Sequence, residues 1–249
     1  MDFNTAYELL EGVRIQDNKF IIDYVKNPDD IHHLNMGKDK SKTPYSMASK
    51  EFGGHTVFSS YTLPTSEESK ALQKALKGKP NDLGIDIDQT DVKRFVMRTA
   101  QHLWMKAIKD KKIDVIVTMK SSSDLSKIFA SFFQAKIPNI VYLPDTLHKA
   151  DISKISISDN ASSQQKKRLN DILRKSLETG TSLEMKNVPV PMRKFINGFV
   201  EYDNIYKKLE GKTILVVDDY LTSGTTMAKT FQILSEMNPL AIYGVTIFK

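Results

Sequence analysis

The stretch ILVVDDYLTSGTTMAKTF, from Ile214 to Phe231, restricts the fold more than any other part of the chain. An unbroken apolar run rich in branched residues suits a strand buried on both faces. The hydroxyl-rich turn around Gly224, leading into MAKTF, suits the start of a helix. Asp218 and Asp219 then fall at the carboxyl end of the strand, the edge at which open α/β sheets bind their ligands.

The pattern around this stretch supports such a sheet. Val92, Phe95, Val96, Thr99, Leu103, Trp104 and Ile108 recur at helical spacing and predict an amphipathic helix capped by Thr90. DIDQTD at 86–91 lacks the glycine and terminal glutamate of a calcium loop and reads as a helix-capping loop. A short strand is expected at Ile113–Thr118, a helix through Leu125, Ile128, Phe129 and Phe132, and a second strand in IPNIVYLP, bounded by its prolines. The alternation resumes at Gly211, with a strand at Thr213–Val217, a helix from about Thr225 to Met237 and a last strand in AIYGVTIFK. The expected fold class is therefore α/β, a mainly parallel twisted sheet flanked by helices.

Two regions break this rhythm. Residues 1–89 carry short aromatic runs cut by turn formers and read as a small α+β region, set apart from a core at 90–249. The second break is a long insert at about 145–211. Within it SSQQKKRLNDILRKSLETG predicts one helix with Leu169, Ile172, Leu173 and Leu177 on its apolar face, ended by Gly180. The rest of the insert reads as polar and mobile.

Composition narrows the function classes. The 249 residues include no cysteine, which excludes disulfides and thiolate metal sites and suits a reducing cytoplasm. No apolar run approaches a membrane span, and the acidic start does not read as a signal peptide, so a cytoplasmic protein without a membrane partner is expected. A net charge of +6 favours anionic partners, either phosphorylated small molecules or nucleic acid, although no specific nucleic-acid motif is present. None of the five histidines, at 32, 33, 55, 102 and 148, has a metal-ligand spacing.

The loop after Asp219 offers backbone N–H groups, a helix N-terminus and the hydroxyls of Thr222, Ser223, Thr225 and Thr226, with Gly224 allowing close approach. Those features suit a phosphate monoester. Two carboxylates would repel a phosphate, so they should face sugar hydroxyls or a magnesium ion. A sugar phosphate satisfies both halves. The order ILVV, DD, YL, TSGTT resembles the phosphoribosyl pyrophosphate (PRPP) signature of the type I phosphoribosyltransferases. It is neither a dinucleotide fingerprint nor a Walker loop.

The resemblance, which covers roughly 90–145 and 211–249, implies a Mg²⁺-dependent transferase that moves the 5-phosphoribosyl group from PRPP to a small-molecule nitrogen acceptor. It implies that Asp218 and Asp219 contact the ribose 2- and 3-hydroxyls and the metal, and that Thr222, Ser223, Gly224, Thr225 and Thr226 cradle the 5-phosphate. Threonine at 222 departs from the aspartate of the enzymes acting on 6-oxopurines and matches the orotate-type members. VIVTMKSSSDLSKIF stands where the family has its pyrophosphate loop, with serine in place of the usual glycine. This implies diphosphate contacts from Lys120, Ser121, Ser122 and Ser123 and a helix cap at Asp124. Lys120 and Arg193, the latter from VPMRKFINGFVEYDN in the insert, are the residues assigned to catalysis. By the same resemblance the insert stands for a flexible loop that closes over the reaction, and residues 1–89 for the hood that selects the acceptor. A homodimer is left open, as is a non-catalytic alternative: a PRPP- or nucleotide-sensing regulator that binds nucleic acid.

Overall fold

A computed structural model describes residues 7–10, 13–16, 19–22, 48–52, 54–61, 67–121, 123–203, 206–221 and 224–249. Three short strands, β1 (Tyr7–Leu10), β2 (Val13–Gln16) and β3 (Lys19–Ile22), form an antiparallel sheet of their own. They are followed by β4 (Ala48–Phe52), β5 (His55–Tyr61), α1 (Glu67–Leu76) and α2 (Gln89–Leu103). Next come β6 (Val115–Met119), α3 (Leu125–Lys136) and β7 (Val141–Lys149). The insert holds β8 (Ser156–Ile157), α4 (Ser163–Glu178), β9 (Ile196–Asn197), β10 (Val200–Tyr202) and α5 (Tyr206–Leu209). The chain continues with β11 (Thr213–Tyr220), α6 (Thr225–Ser235) and β12 (Ala241–Phe248).

The main sheet has seven strands in the order β10-β7-β6-β11-β12-β5-β4. The five from β7 to β5 are mutually parallel, and antiparallel β10 and β4 close the two edges. Every residue of β6 is buried, as expected of a strand covered on both faces. Alternate residues of β11 serve two cores. Leu215 and Val217 pack with α1, α2 and α3, whereas Ile214 and Val216 pack with α6 and the insert. The α/β class is thus the observed one.

Several local expectations change. The sheet crosses the expected border near residue 90, because β5 pairs with β12 from Tyr243↔Thr56 to Phe248↔Tyr61. Helix α2 is capped not by Thr90 but by Asp88, whose carboxylate accepts the Thr90 N–H at 2.7 Å. Pro144 does not end β7 but lies inside it. Pairing slips between Val117↔Leu143 and Met119↔Leu147, and in that bulge proline's missing N–H costs no ladder bond.

The insert is packed rather than polar and mobile. Ala150, Ile152, Leu169, Leu183, Met192 and Phe199 are buried in the core on the α6 side. Outside α4 its apolar residues fall in loops and short 3-10 turns, so no period betrays them in the sequence. The predicted helix exists as α4, opened by a capping box of Ser162 and Gln165 and followed by Gly180 at φ 62°. Leu177, expected on its apolar face, is 58% exposed, and Ser176 is buried instead.

Candidate active site

All five parallel strands end at one edge of the sheet. Val217 of β11 pairs with Thr118 of β6, so the segments after these two strands emerge side by side. Asp218 and Asp219 lie in the last turn of the pleat on β11 and point to opposite faces.

Asp219 is buried and faces the α1 side. Its Oδ2 lies 2.6 Å from Lys77 Nζ, an ion pair that the sequence analysis missed. Lys77 is fixed by the way α1 ends. The Gly78 N–H donates to the Ala75 carbonyl at 2.9 Å and the Lys79 N–H to the Lys74 carbonyl at 2.8 Å, with Gly78 left-handed at φ 64°. This Schellman arrangement makes Lys77 the C-cap, the residue that follows the last of the helix at Leu76. A Lys-Gly pair after an apolar-periodic run signals a helix end, but nothing local to it points to a carboxylate on β11.

Asp218 is partly exposed, yet its carboxyl is pushed up to about 7. Burial is the main cause and the neighbouring Asp219 carboxylate the second. The Asp219 N–H, which donates to Asp218 Oδ1 at 2.9 Å, and the charges of Lys77 and Lys149 act in the opposite direction. Lys149, at the end of β7, is a second basic neighbour that no sequence pattern singles out.

Beyond Asp219 the structure places Gly224 at φ 77°, buried, as the residue before α6, with Thr225 and Thr226 half-buried in the first turn. Only glycine adopts that angle without strain. Thr222 and Ser223 lie outside the described residues, as does Ser122 in the loop after β6.

In that second loop Lys120 is exposed, and its N–H donates to the Leu147 carbonyl at 2.6 Å. The Ser123 N–H donates to Ser121 Oγ at 3.3 Å. Asp124 precedes α3, but its side chain makes no capping hydrogen bond. Its ψ of 4° is not the extended value that capping needs, and its Oδ1 lies 3.8 Å from Lys127 Nζ. Lys127 itself pairs with Asp145 at 2.8 Å. Asp145 is left-handed at φ 55°, and its N–H donates to Thr118 Oγ1 at 3.1 Å.

Arg193 lies in the insert, in the 3-10 turn Val190–Phe195. Its Nε donates to the Val188 carbonyl at 2.9 Å, which ties it to the backbone just ahead of its own 3-10 turn. That use of a guanidinium depends on how the insert folds back on itself and has no sequence pattern.

The edge is built for a polar ligand. Ser126 Oγ and Asp145 Oδ1 are buried and receive or make no hydrogen bond, a state that costs energy unless something else meets them. Among the described residues no group of three His, Asp or Glu side chains can hold a metal. Asp218 and Asp219 are hard oxygen donors, and one or two carboxylates are the usual protein share of a Mg²⁺ shell that water and a ligand's phosphates complete. Among the described residues no helix is long and apolar enough to cross a membrane.

The model of the phosphoribosyl transferase domain matches residues 89–249. No curated protein matches the sequence. Among solved structures, the allosteric regulatory enzyme of purine biosynthesis is similar at 15% identity and TM-score 0.34, over 62% of this chain and 26% of that one. A hypothetical protein from Neisseria gonorrhoeae with bound ppGpp is similar at 16% identity and TM-score 0.33, over 63% and 66%. Hypoxanthine phosphoribosyltransferase from Trypanosoma cruzi, complexed with the product IMP, is similar at 11% identity and TM-score 0.31, over 63% of each chain. The chain therefore spans less than two-thirds of each of these proteins.

Proposed function

The chain belongs to the phosphoribosyl transferase domain family, and from that membership we propose that it transfers the 5-phosphoribosyl group of PRPP to a nitrogen of a small-molecule acceptor, with Mg²⁺. The bond from the anomeric carbon to the diphosphate oxygen breaks, a bond to the acceptor nitrogen forms, and pyrophosphate leaves with the electron pair. The proton displaced from nitrogen passes to solvent. No protein nucleophile takes part.

The observation that carries this reading is the juxtaposition of two loops at one sheet edge. The acidic pair of β11 and the start of α6 lie beside the Lys120–Asp124 segment after β6. In this reading the hydroxyl and N–H groups of 222–226 hold the 5-phosphate, and Asp218 and Asp219 accept from the ribose hydroxyls. Lys120 and the serines 121–123 face the diphosphate, where negative charge grows as the bond breaks. Mg²⁺, when bound with the diphosphate, supplies further positive charge to the leaving group. Arg193, whose Nε donates to the Val188 carbonyl, stays the insert's candidate for a phosphate contact in this reading. Residues 1–89 remain the candidate source of acceptor contacts.

The test is calorimetric titration of PRPP with Mg²⁺, followed by pyrophosphate release across purine, pyrimidine and nicotinate-type acceptors. The Asp218→Asn/Asp219→Asn variant serves as control. Release with one acceptor, lost in the control, is the expected result. PRPP binding without release for any acceptor selects the sensing role instead. PRPP binding unchanged in the control overturns both.

A further inference from the structure

Two adjacent carboxylates at a ligand edge invite a hard cation, yet one of them already has a cation in place. Lys77 Nζ lies 2.6 Å from Asp219 Oδ2, with side-chain exposures of 26% and 9%. The ammonium is delivered by the rigid, glycine-closed end of α1 rather than by a free loop. Gln73, Leu76, Leu125, Tyr220 and Phe248 line a gap at the pair that, among the described residues, has no room for a water-sized guest. A metal therefore reaches Asp219 Oδ2 only by displacing Lys77. The lysine also lies outside residues 89–249, so the contact joins the matched domain to a segment that precedes it.

We propose that Lys77 is the built-in counter-ion of the acidic pair. It holds the place at Asp219 that a divalent cation would otherwise take, and so makes the site admit its metal only together with a diphosphate ligand. Lys77 is thus a positioning residue, acting through Asp219. With the ammonium present, the pair carries one uncompensated carboxylate, too little for a bare divalent ion that keeps its waters. With it removed, the Asp219 carboxylate is left without its counter-ion beside that of Asp218, and the edge attracts such an ion more strongly. The inference rests on Asp218 and Asp219 facing the ligand as proposed above.

The test is titration of Mn²⁺ into the full chain without PRPP, reading free Mn²⁺ by electron paramagnetic resonance. Wild type and Lys77→Arg should bind weakly. Lys77→Met should bind about tenfold tighter or more, as Asp219 is left without its counter-ion, and adding Asp219→Asn should remove the gain. A folded Lys77→Met that binds Mn²⁺ no better than wild type overturns the proposal. Should Lys77→Met fail to fold, Asp219→Asn in the otherwise native chain decides. Unchanged Mn²⁺ affinity agrees with an Asp219 already taken by lysine, and a clear loss shows it open to metal and sinks the idea. Because PRPP is absent, failure of the transferase reading appears in its own titration and leaves this result intact.

Discussion

Asp218→Asn should make the protein more stable while disabling it, and the size of the gain should depend on pH. The folded state raises the Asp218 carboxyl from 3.8 to about 7, mainly by burial and then by the Asp219 charge. Below the unfolded value both states hold the proton and the group costs nothing. Between the two values the unfolded chain has released the proton and the folded chain has kept it, so stability falls as pH rises through that window. Above about 7 both are ionised and the loss is complete, at roughly 4 kcal/mol as an upper bound. Asparagine keeps an oxygen that can accept the Asp219 N–H and has no charge to bury. The variant should therefore match wild type at about pH 4 and exceed it by roughly 2–4 kcal/mol at about pH 8, while losing PRPP binding. Urea unfolding across this range, followed by circular dichroism, reads the difference. A gap between the two proteins that does not change with pH would show that burial of this charge is not what strains the site.

Other substitutions probe separate parts of the argument. Leu169→Ala, which opens a hole where α4 meets the core, should cost about 2–5 kcal/mol in urea unfolding and speed proteolysis within 145–211. A mobile insert would show neither effect. Gly244→Ala should cost about 1–3 kcal/mol, because a Cβ on β12 would lie within 2.9 Å of Val57 Cγ2 and 3.1 Å of Phe231 Cζ. Ser162→Ala removes one half of the α4 capping box and should lower stability by about 0.5–2 kcal/mol, with Ser162→Asp restoring most of it. Lys120→Gln should weaken PRPP binding about tenfold at low ionic strength and less at high salt, as calorimetry can show. No change at low salt would remove Lys120 from the diphosphate.

Wherever the information was local, the sequence alone determined the outcome. Strand β11, helix α6 and the acidic pair between them follow from one continuous stretch, because burial on both faces demands an unbroken apolar run and a left-handed residue at 224 demands glycine. The end of α4 at Gly180 was legible for the same reason. Thr90 was mistaken for Asp88 only because two capping side chains stand close together.

Only the tertiary structure decided which distant groups meet. Strand β5 joins the sheet through pairing with β12, which no pattern within residues 55–61 specifies. The insert's core is assembled from single apolar residues whose burial depends on what folds over them. The Lys77–Asp219 and Lys127–Asp145 pairs join side chains through three-dimensional packing. Propensity and periodicity act over a few residues, whereas the charge on a carboxylate is set by whatever the folded chain brings within a few ångströms.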